Sequence, residues 1–223
     1  MKNLLTSSLI ACTLCIILLF DSCKKKSPEP TLSAKIQQIV PATLLNNLKV
    51  KGMPINEGLN PPNIEGVFVS NPHTLEVPYA GDPNSKGYVF NSLVLRFSNQ
   101  NSKELSVNID TKSSSTVASG IGGFISGTGN KFSIFAELSV QNGTATGKQV
   151  RIFSGEITSQ GIKDFYSTLV FTEKNDPNNV FIEIGAARII KDGDGLASKT
   201  NAFRMGVEVN DLIDESSLVT SLK

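Results

Sequence analysis

The run KFSIFAELSV, Lys131 to Val140, sets Phe132, Ile134, Ala136, Leu138 and Val140 on one side of an extended chain. Lys131, Ser133, Glu137 and Ser139 fall on the other side, so Glu137 is expected to face water. Successive side chains of a strand point to opposite faces, and a period of two therefore marks a half-buried strand. The preceding Gly127-Thr128-Gly129-Asn130 suits a tight hairpin turn that leads back into a Gly-rich strand from Thr116 to Ile125.

The same period recurs outward in both directions. Val67 and Val69 mark a first strand, Leu93, Leu95 and Phe97 a second, and Leu105, Val107 and Ile109 a third. Beyond the fifth, strands are expected near Lys148 to Thr158, Ile162 to Glu173 and Asn179 to Lys191, joined by QNGTATG, SQG and KNDPNN. Loops this short and rich in Gly, Asn and Pro connect antiparallel neighbours. Eight such strands describe an all-β, antiparallel, up-and-down meander, which closes into a barrel and so removes its edges. Glycines 120, 122, 123 and 127 suit the sharp coiling of a small barrel; they equally suit bulges in a β-sandwich, the alternative.

Upstream, Ile36, Ile39, Val40, Leu44, Leu45 and Leu48 follow helical spacing interrupted by Pro41, which predicts a short helix after Pro41 that ends at Gly52. Asn60-Pro61-Pro62-Asn63 stops any helix. The expected organisation is a leader over 1–22, a tether over 23–33, a helical lead-in over 34–60, the β-domain over 61–195 and a C-terminal extension over 196–223, in which Val207, Val209, Leu212, Ile213 and Leu218 suggest one more packed element.

The leader carries Lys2, an apolar stretch from Leu4 to Phe20 and small or polar residues before Cys23, the layout of a secretory signal peptide. Ser22-Cys23 resembles a relaxed bacterial lipobox, which implies cleavage before Cys23 and lipidation of its sulfur, with palmitate among the acyl chains. Cys12, after Leu9-Ile10-Ala11, is a competing site that leaves an apolar core of about seven residues, the lower end for a signal peptide. An uncleaved span is the other reading. It is opposed by Thr6, Ser7 and Ser8, which shorten the apolar stretch, and by Lys24 to Lys26 on the side to be exported. A tether with the charges and prolines of KKKSPEPTLSAK stays extended, and two or three acyl chains hold a protein to a membrane durably.

Composition narrows the chemistry. Among 223 residues, 21 Lys plus Arg against 20 Asp plus Glu give a formal charge of +1, so no global basic field exists to hold a nucleic acid. All three cysteines, at 12, 15 and 23, belong to the leader or its end, and there is one histidine. Neither a metal centre nor a cofactor is expected from such a set. His73, in Asn71-Pro72-His73-Thr74, is expected to be exposed loop surface; as a general base it has no Cys nucleophile or Gly-x-Ser-x-Gly elbow to serve, and no enzyme is expected. Lys191-Asp192-Gly193-Asp194-Gly195 reads as a turn, since a calcium loop counted from Asp192 has Leu196 at its fifth position and Phe203 at its twelfth.

Inward-facing candidates, and with them candidate ligand contacts, are Leu93, Leu95, Phe97, Ile109, Phe132, Ile134, Ile152, Leu169, Ile182 and Ile184. Arg188 shares the phase of Val180, Ile182, Ile184 and Ile190, and a buried guanidinium needs partners. It is either a structural plug at one barrel end or the anchor for an anionic head group; a bulge near Gly185 would turn it outward.

The arrangement resembles the calycin superfamily, the lipocalins and their relatives, over about residues 61 to 195. Gly66-Val67-Phe68 matches the Gly-x-Trp motif of the first strand with Phe in place of Trp, the segment from Asn71 to Gly87 matches a lid loop, and Arg188 matches the last-strand arginine that crosses the first aromatic. The stretches MPINEGLNPPNIEG and DGDGLAS also resemble uncharacterised lipoproteins of Bacteroidetes type. These resemblances imply a lipocalin-like lipoprotein of the bacterial cell envelope, anchored in the outer membrane, that binds a small apolar or amphipathic molecule. The alternative is a filled barrel that docks a protein of the envelope.

Overall fold

A computed structural model describes residues 32–203. The leader, Cys23 and most of the tether, like the C-terminal residues from 204 onward, lie outside the described residues. Two helices come first, α1 (Ala34–Ile39) and α2 (Ala42–Val50). Ser33 caps α1 by accepting from the Ile36 N–H at 3.4 Å. The residue before a proline is pushed out of the helical region, and Val40 accordingly sits at φ −116°, ψ 107°. Helix α2 ends with the Gly52 N–H on the Lys49 carbonyl at 3.0 Å and the Met53 N–H on the Leu48 carbonyl at 2.9 Å. That paired closure satisfies carbonyls left free at a helix end. The expected single helix after Pro41 is thus preceded by a second one.

Twelve strands follow among the described residues, all in one sheet. They begin with β1 (Leu59–Asn60), β2 (Gly66–Ser70), β3 (His73–Val77) and β4 (Val89–Phe90). The long strands are β5 (Leu93–Asn101), β6 (Ser106–Ser113), β7 (Thr116–Thr128), β8 (Lys131–Asn142), β9 (Ala145–Ile157) and β10 (Gly161–Asn175). Last come β11 (Ala187–Asp192) and β12 (Leu196–Thr200). From β5 to β10 each strand pairs antiparallel with the next, as the short loops require. β2 pairs with β5, and β12 pairs with both β2 and β10, so the path closes into a ring through eight strands. β11, β3 and β4 continue the sheet outside that ring.

Three expectations change here. The predicted eighth strand over Asn179 to Lys191 is strand only from Ala187, and the ring is closed by β12, within what was expected to be an extension. Asp176 accounts for the first change: its carboxylate accepts from the Val180 N–H at 2.9 Å and the Phe181 N–H at 2.8 Å, and such side-chain bonds compete with the sheet ladder. The segment 176–186 turns instead, and Phe181 stacks on Phe171 at 4.7 Å. The segment expected as a lid loop after Asn71 contains β3, which pairs with β11.

β10 serves two neighbours because it is irregular between Lys163 and Tyr166. Before the irregularity it pairs with β12, after it with β11. A bulge bends and twists its strand, which here divides one edge between two partners. Gly161 makes the closure passable: at φ +154° a Cβ would stand 2.2 Å from the Ala197 carbonyl oxygen. Gly161→Ala is therefore expected to lower stability by about 1–3 kcal/mol, the usual cost of overpacking, read as a shift of the urea midpoint. The glycines at 120–123 occupy a bulge of β7 against both β6 and β8, where a Cβ on Gly123 would stand 2.5 Å from Ile109.

The sheet has an apolar face on both sides in its central part. Inside the ring lie Phe68, Leu95, Phe97, Ile109, Phe132, Ile134, Leu138, Phe153 and Phe165. On the opposite face, Phe135, Val150, Ile152 and Ile189 pack against Ile36, Val40, Leu45 and Leu48 of the helical segment. Burial of each such aliphatic side chain contributes roughly 1.5–3 kcal/mol, so the helices are integral to the fold.

Candidate functional site

Alternation along β9 and β10 builds the site. Gln149, Arg151 and Phe153 share one phase on β9; Phe165, Ser167, Leu169 and Phe171 share one on β10. Phe153, Phe165 and Phe171 belong to the cluster inside the ring, so all seven positions face inward. A half-open cavity of about 200 Å³ lies between these positions and β3, β4 and β11, which contribute His73, Phe90, Arg188 and Ile190. Leu93, Ala118, Val140, Leu169, Phe171 and Phe181 supply apolar wall; His73, Thr111, Gln149, Arg151 and Arg188 supply polar wall. Val180, 51 % exposed, borders it on the solvent side. The larger hollows, of about 660 and 400 Å³, lie across the exposed ends of β7–β10 and beside α2, and neither contains a buried charged side chain.

The two arginines of the cavity differ. Arg188 is held by both carboxylate oxygens of Asp82, Nε at 2.7 Å and Nη2 at 2.6 Å, and its guanidinium lies over the rings of Phe90 and Tyr79. The Asp82 side chain is 1 % exposed, and Arg188 keeps its carboxyl below the ordinary value by hydrogen bonding and charge. Paired in two parallel bonds, this arginine plugs the cavity wall.

Arg151 is 6 % exposed and its Nε has no hydrogen-bond partner. Its guanidinium lies 5.1 Å over the Phe153 ring. Burial pulls its pKa down to about 10, and no neighbouring carboxylate acts to raise it. The other buried side-chain atom without a partner among the described residues is Ser167 Oγ. In the β9–β10 register Ser167 pairs with Phe153 and Leu169 with Arg151, so Ser167 is the diagonal neighbour of Arg151 on the same inward face.

His73 overturns its expected exposure. It is strand, not loop, and only 4 % exposed; its Nδ1 lies 3.0 Å from Ser70 Oγ. Burial first, and then the charge of Arg151, lower its pKa to about 3. That leaves it far from the near-neutral pKa a general base needs at neutral pH. Its Cα partner in the ladder is Asp192, whose carboxylate accepts from the N–H groups of Asn71 and Leu196. Burial and the adjacent Asp194 raise the Asp192 pKa, and Asp194 also accepts from Leu196, which ties the β11–β12 turn.

Of the residues expected inward, Leu93, Leu169, Ile182 and Arg188 line the cavity. Leu95, Phe97, Ile109, Phe132 and Ile134 are at most 1 % exposed and fill the ring beside it. Ile152 is corrected: it faces the helices, because β9 is phased with Arg151 and Phe153 inward, and a one-residue shift of phase exchanges the faces of a strand. Ile184 is corrected as well, 56 % exposed in the turn that follows Asp176. Arg188 crosses Phe90 and Tyr79, whereas the resemblance placed it over Phe68; that ring packs on Phe97 at 6.0 Å. Arg151, Gln149, Ser167 and Asp82 were missed. The alternation Gln149-Arg151-Phe153 carries a signal for the first two, but Val150-Ile152 beside it is the more apolar phase.

Comparison with protein-family models, with curated proteins and with solved structures finds no match to this chain.

Proposed function

We propose that this protein is an envelope lipoprotein whose ring of strands is a lipocalin-like barrel binding a small apolar or amphipathic molecule. The observation that carries the reading is the cavity of about 200 Å³, whose lining mixes apolar side chains with a few polar ones. Binding sites have that character: mostly apolar walls with a few polar groups that orient the occupant. The size is modest. An apolar cavity of about 150 Å³ holds benzene, and drug-sized ligands need about 300 Å³ or more. An occupant of one ring or a short chain fits.

The anchoring part of the proposal rests on the leader and Cys23. Metabolic labelling with a palmitate analogue is expected to mark the wild-type chain and not Cys23→Ala, and retained label would refute lipidation at that residue. Occupancy of the cavity is tested by NMR titration of the β-domain within the full chain with toluene, benzyl alcohol and benzoate. The expected result is shifts at Ala118, Val140, Leu169 and Phe171, which line the cavity; no shift with any of the three rejects the binding reading. A second reading, a filled scaffold for an envelope partner, is favoured by the packing of Phe68, Phe97, Phe132, Phe153 and Phe165, all at most 1 % exposed, which occupies the rest of the interior.

A further inference from the structure

We infer that the cavity selects an anionic occupant, a small aryl or short-chain carboxylate whose head group is bound by Arg151. The inference rests on the binding reading above and adds to it the charge and the size of the ligand. Its basis is an imbalance of donors. Arg151 carries five N–H donors and accepts nothing. It is buried, its Nε has no partner, and it lines the cavity. A buried charge left uncompensated is costly, so a site that retains one is completed by an acceptor of opposite charge.

The neighbouring groups leave that role to Arg151. The charge of Arg188 is spent on Asp82, in two hydrogen bonds, and His73 is neutral at physiological pH. The cavity wall therefore presents one unneutralised positive charge. Its aromatic and aliphatic lining, from Leu93, Ala118, Leu169 and Phe171, suits a ring or a few methylenes attached to the carboxylate. About 200 Å³ takes a benzoate-sized molecule.

The discriminating experiment compares benzoate with benzyl alcohol and toluene at pH 7 on the full chain, by NMR titration or calorimetry. Hydrogen bonds to a charged group are worth about 1.5–3 kcal/mol, which corresponds to roughly tenfold or more in affinity. Benzoate is accordingly expected to bind at least about tenfold more tightly than benzyl alcohol, with the preference removed in Arg151→Met. Equal affinity of the three probes for the wild type would overturn the role of Arg151 while the binding reading survived. Binding of none would reject both. The comparison on the wild type needs no variant to fold, and Arg151→Lys, which keeps the charge but not the planar fork, is expected to retain part of the preference.

Discussion

As the pH falls below about 6.5, the protein is expected to lose stability at a slope approaching 1.4 kcal/mol per pH unit, reaching roughly 3 kcal/mol by pH 4. The cause is His73, the single histidine of the chain. Its folded pKa is lowered to about 3 by burial and by Arg151, while the unfolded imidazole titrates near its ordinary value. Between those two values the unfolded state binds a proton that the folded state does not, so protons favour unfolding. Asp192 acts in the opposite sense, since burial and Asp194 raise its pKa and protonation there favours the folded state. The histidine contribution is isolated by comparing denaturant unfolding of the wild type and His73→Gln from pH 7.5 to 4.5: the slope of the wild type is expected to flatten in the variant. An imidazole proton signal that titrates near pH 6.5 in the folded protein would contradict the burial argument outright.

Separation of Arg188 from Asp82 is expected to cost about 3 kcal/mol or more, because removal of one partner leaves the other charge buried and unmatched. Both side chains are shielded, Arg188 12 % and Asp82 1 % exposed, so the pair differs from the exposed ion pairs of the surface, such as Lys35–Glu104. Asp82→Ala and Arg188→Ala should each lower the urea midpoint strongly. The double variant Asp82→Asn with Arg188→Met should recover most of the loss, since a buried pair replaced as a unit is often near neutral. Additive losses in the double variant would show that the two side chains act independently. The sign with pH follows from the lowered carboxyl of Asp82: its contribution is full above the ordinary carboxyl pKa near 3.9 and disappears as the pH falls below it. It therefore acts below the window in which His73 dominates.

Much of the sheet was legible because one apolar phase runs along its strands. Leu93-Leu95-Phe97 and Phe132-Ile134-Leu138 each keep that phase, with Arg96, Ser133 and Glu137 in the other, and each triad lies inside the ring. Strand β9 was legible in existence but not in phase. Its more apolar face, Val150 and Ile152, is buried under α1 and α2, and the inner face was left to Gln149, Arg151 and Phe153. Periodicity reports which positions avoid water; it does not report which of two coverings keeps the water away. For the same reason the signal for Arg151 in the alternation Gln149-Arg151-Phe153 is outweighed by the more apolar Val150-Ile152 beside it.

The sequence by itself determined that the chain makes antiparallel strands linked by short turns, that a helix after Pro41 ends at Gly52, and that a Cys-bearing apolar stretch precedes it. Those properties are local: side-chain alternation, missing N–H groups and turn chemistry act over a few residues. Only the tertiary structure decided that Leu196–Thr200 closes the ring, that His73 is buried beside Asp192, and that Asp82 neutralises Arg188 while Arg151 stays unpaired. Arg188 and Asp82 stand 106 positions apart in the chain. Which charge finds a partner depends on the three-dimensional path that brings them within hydrogen-bond reach, and that path is set by the summed burial of both sheet faces.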